Sequence, residues 1–221
     1  MSKAKSSKAS SRSVARARSA PRTVPAPRRA RAPRSDIFER AAELMTVKGF
    51  AGMSARDLAD ALEFSKASVF YHLGSKEELL HRIFVDTLEH FIHHVEQIFR
   101  RSDSPEAKLR ALIDFYIRQM FERWAVMTVW SRERGHLSRE HAEHVTRLET
   151  RLIGMVARFY EEAIESGAFR QVNPIVARMA MFGMCLNFTR RPELRDQLSM
   201  ETISNQLQDI ACGAMLSPGR T

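Results

Sequence analysis

Residues Ser54–Leu80 read SARDLADALEFSKASVFYHLGSKEELL. Three serines stand there at helix-starting positions. Ser54 has Asp57 three residues on, the spacing of a capping box, and Leu58, Ala59 and Leu62 follow at helical spacing. Glu63-Phe64-Ser65 interrupts that pattern. Ser65 then caps a short helix from Lys66 to about His72, with Val69 and Leu73 turned inward. Leu73-Gly74 turns the chain, and Ser75-Lys76-Glu77-Glu78 opens a further helix with a full capping box. Two capped helices joined by a three-residue turn form a helix-turn-helix, which offers its second helix to the major groove of DNA and braces it with the first. The outer face of that second helix carries Lys66, Ala67, Ser68, Tyr71 and His72. A lysine reaches a guanine edge or a phosphate, an alanine lets the backbone approach, and a serine hydroxyl donates to either.

Outward from this stretch the spacing stays helical. A first helix runs from about Ser35 to Lys48, with Ile37, Ala41, Leu44 and Met45 as its inner stripe and Gly49 as its stop. The helix opened by Ser75 continues through Leu79, Leu80, Ile83, Phe84, Leu88, Phe91, Val95 and Phe99. Arg101–Pro105 is a break. Helices are expected near 105–120, 122–134, 138–166, 174–190 and 200–215, with Gly167 ending the long one and Asn173-Pro174 starting the next. No convincing strand alternation is present. The expected fold is all-α. A basic tail (1–34) precedes a three-helix domain (35–85) that carries the helix-turn-helix and a larger helical domain (86–221).

The 221 residues carry a formal charge of +9, distributed unevenly. Residues 1–34 hold eleven Lys and Arg and no acid; the other 187 carry 24 basic and 26 acidic groups, a net of −2. A uniformly basic nucleic-acid coat is therefore excluded. The tail is rich in Ala, Ser and Pro and lacks aromatics, so it is expected to be disordered. Three readings of it stand: an electrostatic arm on DNA, a solvated extension, and a transit peptide, the last opposed by its prolines. The whole chain is 44% hydrophobic, enough for a core, yet its longest clean apolar stretch, near Met179–Leu186, is too short for a bilayer. No secretory signal follows Met1, and Cys185 and Cys212 form no framework and no metal spacing. A reduced cytosolic protein is the expectation from these features.

Taken together, Ile37–Ile83 resembles the DNA-binding domain of the tetracycline-repressor (TetR) family of bacterial regulators. The stretches that carry the resemblance are Ala41-Ala42-Glu43-Leu44, Lys48-Gly49-Phe50, Ser54 to Ala59, Ser65 to Leu73, and Ser75 to Leu80, in order and without gaps. The resemblance implies roles by position. Arg56 touches the DNA backbone from the supporting helix. Ser65, Lys66, Ala67 and Ser68 begin the recognition helix, Tyr71 and His72 contact phosphates, and Lys76 clamps a phosphate at the next helix start. Two positions depart from the family pattern. Glu63 stands where Gly is usual, which places a charged residue at positive φ at a cost of about 1 kcal/mol. Phe70 stands where Tyr is commoner, exchanging a hydroxyl for packing. Residues 35–85 hold six basic against eight acidic groups, which gives the basic tail a compensating role.

In TetR-like proteins the following region encloses a ligand pocket and dimerises through its last two long helices. Here Phe115, Met120, Trp124, Met127, Met155, Phe159, Met184 and Phe188 are the candidate pocket residues, since Met- and Phe-rich linings repack around apolar ligands. Ordinary core packing is the competing reading for each. The stretches Gly167 to Arg170, Asn173-Pro174 and Phe182 to Pro192 are similar to a subgroup that answers acyl-CoA thioesters, with Phe188 and Arg190-Arg191 departing from it. Arg147, Arg151, Arg158, Arg190 and Arg191 are candidate partners for CoA phosphates. His90, His93 and His94, and His141 and His144, lie at helical spacing, but no Cys or clear acid completes a metal set, so no metal and no cofactor is expected. His136 stands alone. No nucleophile–base pair, carboxylate pair or phosphate loop supports an enzyme. The expected function is a dimeric repressor that reads a palindromic operator in double-stranded DNA and is released by a small apolar effector, with no membrane partner; a nonspecific architectural DNA-binding protein is the alternative.

Overall fold

The structure, a computed structural model, describes residues 34–65, 71, 74–187, 191 and 193–217, with backbone alone at 34, 35 and 195. Helix α1 (Arg34–Gly52) is followed by α2 (Ala55–Ala61), α3 (Lys76–Arg100), α4 (Pro105–Glu122) and α5 (Trp124–Arg132). A 3₁₀ turn at Arg134–His136 leads to α6 (Arg139–Glu165). Then come α7 (Pro174–Asn187), the single turn α8 (Leu194–Gln197) and α9 (Met200–Met215). Among the described residues the only strand-like feature is an isolated bridge between Phe169 and Leu216. The all-α expectation is met. The tail, the segment Lys66–Phe70 with His72 and Leu73, and Phe188–Arg190 lie outside the described residues.

Local chemistry sets most helix ends. Serines at 54, 75, 104, 138 and 199 each accept a bond from the backbone amide three residues on, filling one of the orphan donors of a helix start. Asn173 Oδ1 accepts from the amides of Ile175 at 2.9 Å and Val176 at 3.4 Å, beside Pro174 at the first helical position. Gly49 and Gly167 take φ 70° and 71° where α1 breaks and α6 ends, as their places in the sequence require. At Ser75 only half of the expected box forms. The Glu78 carboxylate turns instead to Arg82 Nε, 2.8 Å away, because a cation one turn along competes for it. The inner stripe of α1 is also rotated from expectation. Phe38, Ala41, Ala42 and Met45 are buried, while Ile37 and Leu44 are only partly covered, because α1 packs between α2 and α5. Helix α8 was not anticipated.

One continuous core runs from Phe38 to Met215. Helix α3 packs along α6, α4 along α9, and α1 against α5. Ten side chains of α3 are buried, from Leu79 to Ile98, so this amphipathic helix is packed along nearly its own whole length. At the break between α4 and α5, Arg123 reaches Glu39 of α1 at 2.9 Å and Asp86 of α3 at 3.3 Å. The far end is closed by main-chain bonds from Arg170 N to Met215 O (2.9 Å) and from Ser217 N to Ala168 O (3.2 Å).

The turn after α2 is a complete Schellman motif with the wrong residue at its left-handed position. Phe64 N donates to Ala59 O at 2.9 Å and Glu63 N to Asp60 O at 3.3 Å, while Glu63 takes φ 54°. Its carboxylate lies 3.7 Å from Arg40, an exposed pair that repays little of the strain. Glu63→Gly is therefore expected to stabilise the fold by about 0.5–1 kcal/mol, read as a higher urea midpoint at unchanged slope. A lower midpoint would show the Arg40 contact to dominate.

Candidate functional site

The headpiece is built around the start of α2. Ser54 Oγ accepts from Asp57 N at 3.2 Å, and Asp57 Oδ2 accepts from Ser54 N at 2.8 Å, closing the box reciprocally. Lys48 Nζ pairs with Asp57 Oδ1. The Lys48 ammonium, then the Ser54 donors, hold the Asp57 carboxyl far below the usual carboxylate range.

Of the sequence-derived DNA contacts, four are described. Arg56 points outward from α2 and is exposed. Ser65 is exposed beyond the turn, and Tyr71 is 86% exposed. Lys76 is the most constrained. Its ammonium donates to Met53 O at 2.9 Å and Ala51 O at 3.3 Å and lies 4.7 Å above the Phe50 ring. An ammonium has three donors, and two are committed to the end of α1. Lys76 therefore ties α3 to α1, and one donor remains for an anion. Lys66, Ala67, Ser68 and His72 lie outside the described residues.

Three of the cavities among the described residues lie along α3 to α7. The first, about 150 Å³, lies between α3, α4, α6 and α7. Leu88, Leu112, Tyr116, Trp130, Leu152, Val156, Tyr160, Met181 and Phe182 wall it, with Arg178 and Glu149 as its charged groups. A second, about 60 Å³, shares Leu88, Trp130, Leu152 and Phe182 and adds Phe91, Met120, Met127 and Leu186. The third, about 310 Å³, flanks α6 and is polar, with Arg100, Lys108 and Arg158 facing Glu96 and Glu162 around Phe99, Met155 and Phe159.

The candidate pocket residues therefore separate. Met120 and Met127 line the apolar cavity, and Met155 and Phe159 line the polar one. Phe115 packs against Phe91, Tyr116, His90 and His94. Trp124 and Met184 are partly buried against the core, and Phe188 lies outside the described residues. Arg151 pairs with Glu96 at 2.7 Å and Arg191 with Glu193 at 3.5 Å; Arg158 reaches the polar cavity, and Arg147 is exposed.

Two wall groups escaped sequence reasoning. Arg178 is half-buried at the first cavity and forms no ion pair among the described residues. The Tyr160 hydroxyl is buried without a hydrogen-bond partner among them. Burial drives the Tyr160 and Tyr116 phenols well above their ordinary range, so both stay neutral donors. An unsatisfied hydroxyl and an unpaired cation in one apolar cavity make it receptive to a ligand with an apolar body and an anionic or carbonyl end. The neighbouring Cys185 thiol is likewise pushed up to about 12 by burial, which makes it inert.

Two family profiles match the chain. One, described as "Bacterial regulatory proteins, tetR family", covers residues 37–83; the other, "Tetracyclin repressor-like, C-terminal domain", covers 102–213. The transcriptional repressor KstR2 of Mycolicibacterium smegmatis is 25% identical over 103 residues, 47% of this chain and 50% of that protein. The chain thus matches about half the length of that relative. Among solved structures, the TetR-family regulator PfmR of Thermus thermophilus superimposes with a TM-score of 0.74 at 28% identity, over 80% of this chain and 97% of that one. AibR, solved with isovaleryl coenzyme A and operator DNA, gives 0.70 at 23% identity, over 80% and 96%.

Removing the unpartnered hydroxyl relieves an uncompensated buried polar group. Tyr160→Phe is expected to raise the unfolding free energy by about 0.5–1 kcal/mol in ligand-free protein, measured by thermal denaturation. Destabilisation by that amount would mean the hydroxyl is satisfied in solution.

Proposed function

The chain belongs to the TetR family, and on that premise we propose that it is a dimeric transcriptional repressor released from its operator by a small, largely apolar effector. The observation that carries the reading is the union of two things on one helix. The first turn of α3 is bonded into the headpiece through Lys76, and its middle, at Leu88, walls the effector cavity. A ligand that spreads the cavity tilts α3 and so moves the headpiece. Operator and ligand then oppose each other by linkage.

In this reading Arg56, Ser65, Lys66, Ala67, Ser68, Tyr71, His72 and Lys76 contact the operator, and the basic tail adds sequence-independent affinity. Residues 35–85 act as the DNA-binding domain and 86–221 as the effector and dimerisation domain. The protein binds and does not catalyse. It works in the bacterial cytoplasm on nucleoid DNA; no helix among the described residues is long and apolar enough to cross a membrane. An acyl-CoA thioester suits the cavities chemically. The apolar one takes an acyl chain, Tyr160 meets the thioester carbonyl, and Arg178 with Arg100, Lys108 and Arg158 supplies cations for phosphates. The complex of AibR with isovaleryl coenzyme A lends support to this class.

Dimerisation places two recognition helices about one DNA turn, roughly 34 Å, apart. Ile175, Val176 and Met179 of α7 and Ile210 of α9 are each more than half exposed, an apolar face of the kind that a second copy covers. Met179→Glu is expected to yield a monomer in sedimentation and to weaken operator binding severely; a stable dimer would move the interface elsewhere.

Fluorescence anisotropy with the protein's own promoter tests the whole reading. Lys66→Ala should weaken binding and relax base preference. Removal of residues 1–33 should lower affinity uniformly and flatten its salt dependence. An acyl-CoA should release DNA at micromolar levels while the free acid does less. Equal affinity for any duplex, with no release, would establish tail-driven nonspecific binding instead.

A further inference from the structure

Imidazole and carboxylate groups that lie far apart in sequence converge where the first turns of α3 meet the first turns of α6. His141 Nδ1 is 2.7 Å from Glu77 Oε1, which also accepts the Ser138 amide at 2.9 Å. His141 Nε2 faces Glu78 Oε2 at 3.5 Å, while Glu78 Oε1 is held by Arg82. The His81 ring stacks on His141 with centroids 3.8 Å apart, and its Nε2 is 3.0 Å from Nδ1 of His144. His81 Nδ1 is buried with no hydrogen-bond partner among the described residues.

One pair of neutral tautomers suits a cation: with Nδ1–H of His141 donated to Glu77, its Nε2 keeps a lone pair, and with Nε2–H of His81 donated to His144, the orphaned Nδ1 keeps the second. One ligand atom each from Glu78, His81 and His141 lies within 4.8 Å of the others. We propose that Glu78, His81 and His141 form a divalent transition-metal site, of the two-imidazole, one-carboxylate kind that suits zinc, with Glu77 and His144 as its outer support. The carboxylate–histidine pair of Glu77 and His141 is the arrangement that fixes a ring toward a metal and raises its basicity. Two nitrogens and one oxygen leave a fourth position for water. Closure requires the stacked rings to splay, so that Zn–N distances reach about 2.0–2.1 Å. The ion joins α3 to α6 across a sequence separation of about sixty residues. Its three ligands line none of the cavities described above and are not among the operator contacts.

The test uses tag-free, full-length protein stripped with a chelator and desalted. Cobalt(II) is titrated while d–d absorption is followed, then displaced with zinc, and melting is recorded with and without each ion. One equivalent per chain with a saturable visible spectrum and a raised melting temperature is expected. His141→Gln and His81→Gln should each weaken binding at least about tenfold, and Glu77→Gln, which alters only the outer support, by about 10-fold. His93→Ala, an exposed histidine bonded to Gln97, should bind as the parent does. Circular dichroism of each variant verifies folding. Absence of a saturable site, unchanged affinity in both His81→Gln and His141→Gln, or an equal loss in His93→Ala overturns the proposal.

Discussion

Helix α3 has to satisfy two cores at once, and the rest of the molecule follows from that. Its first turn is bonded to the end of α1 through Lys76, while Leu88, Phe91 and Val95 are buried deep in the helical bundle. Twenty-five residues of uninterrupted helix transmit rotation at one end as displacement at the other, because the intrahelical bonds give no intermediate hinge. Coupling between a cavity and a headpiece then needs no special wire. It needs only that the two ends cannot relax separately, which the Arg123 contacts to both α1 and α3 ensure.

Much of this was legible because it is written in short-range chemistry. The caps at Ser54 and Ser75, the stops at Gly49 and Gly167 and the Asn173-Pro174 start each act within four residues, so reading them fixed the ends of α1, α2, α3, α6 and α7 to within a few residues, while apolar spacing placed the other expected helices. The positive φ of Glu63 was visible through the family resemblance, because Gly is usual at that position. What escaped was set by partners far along the chain. Phe38 rather than Ile37 faces the core because α5 lies across α1. Lys76 spends two donors on carbonyls some two dozen residues before it. His141 finds its acid at Glu77, where no local pattern puts one.

The effector region shows the same limit in another form. Composition marked it as Met- and Phe-rich, but richness does not say which side chains meet empty space. Phe115 is consumed in an aromatic cluster, whereas Met120 and Met127 reach a cavity. Arg178 and Tyr160, the groups that give the apolar space polarity, look from the sequence like one more surface cation and one more core aromatic. Their character lies in what they fail to meet, and a missing partner has no signature in one dimension.

The clamp at Arg123 bears on how binding to nucleic acid is to be interpreted. Its side chain is 15% exposed and those of Glu39 and Asp86 28% and 38%, so mobile ions partly reach the two pairs. Added salt therefore loosens the tie between the two halves while it also competes for phosphates. A plot of log affinity against log salt concentration, whose slope is ordinarily counted as released counterions, contains an internal mechanical component here. Whatever share of such a slope belongs to the protein's own ion pairs does not count phosphate contacts.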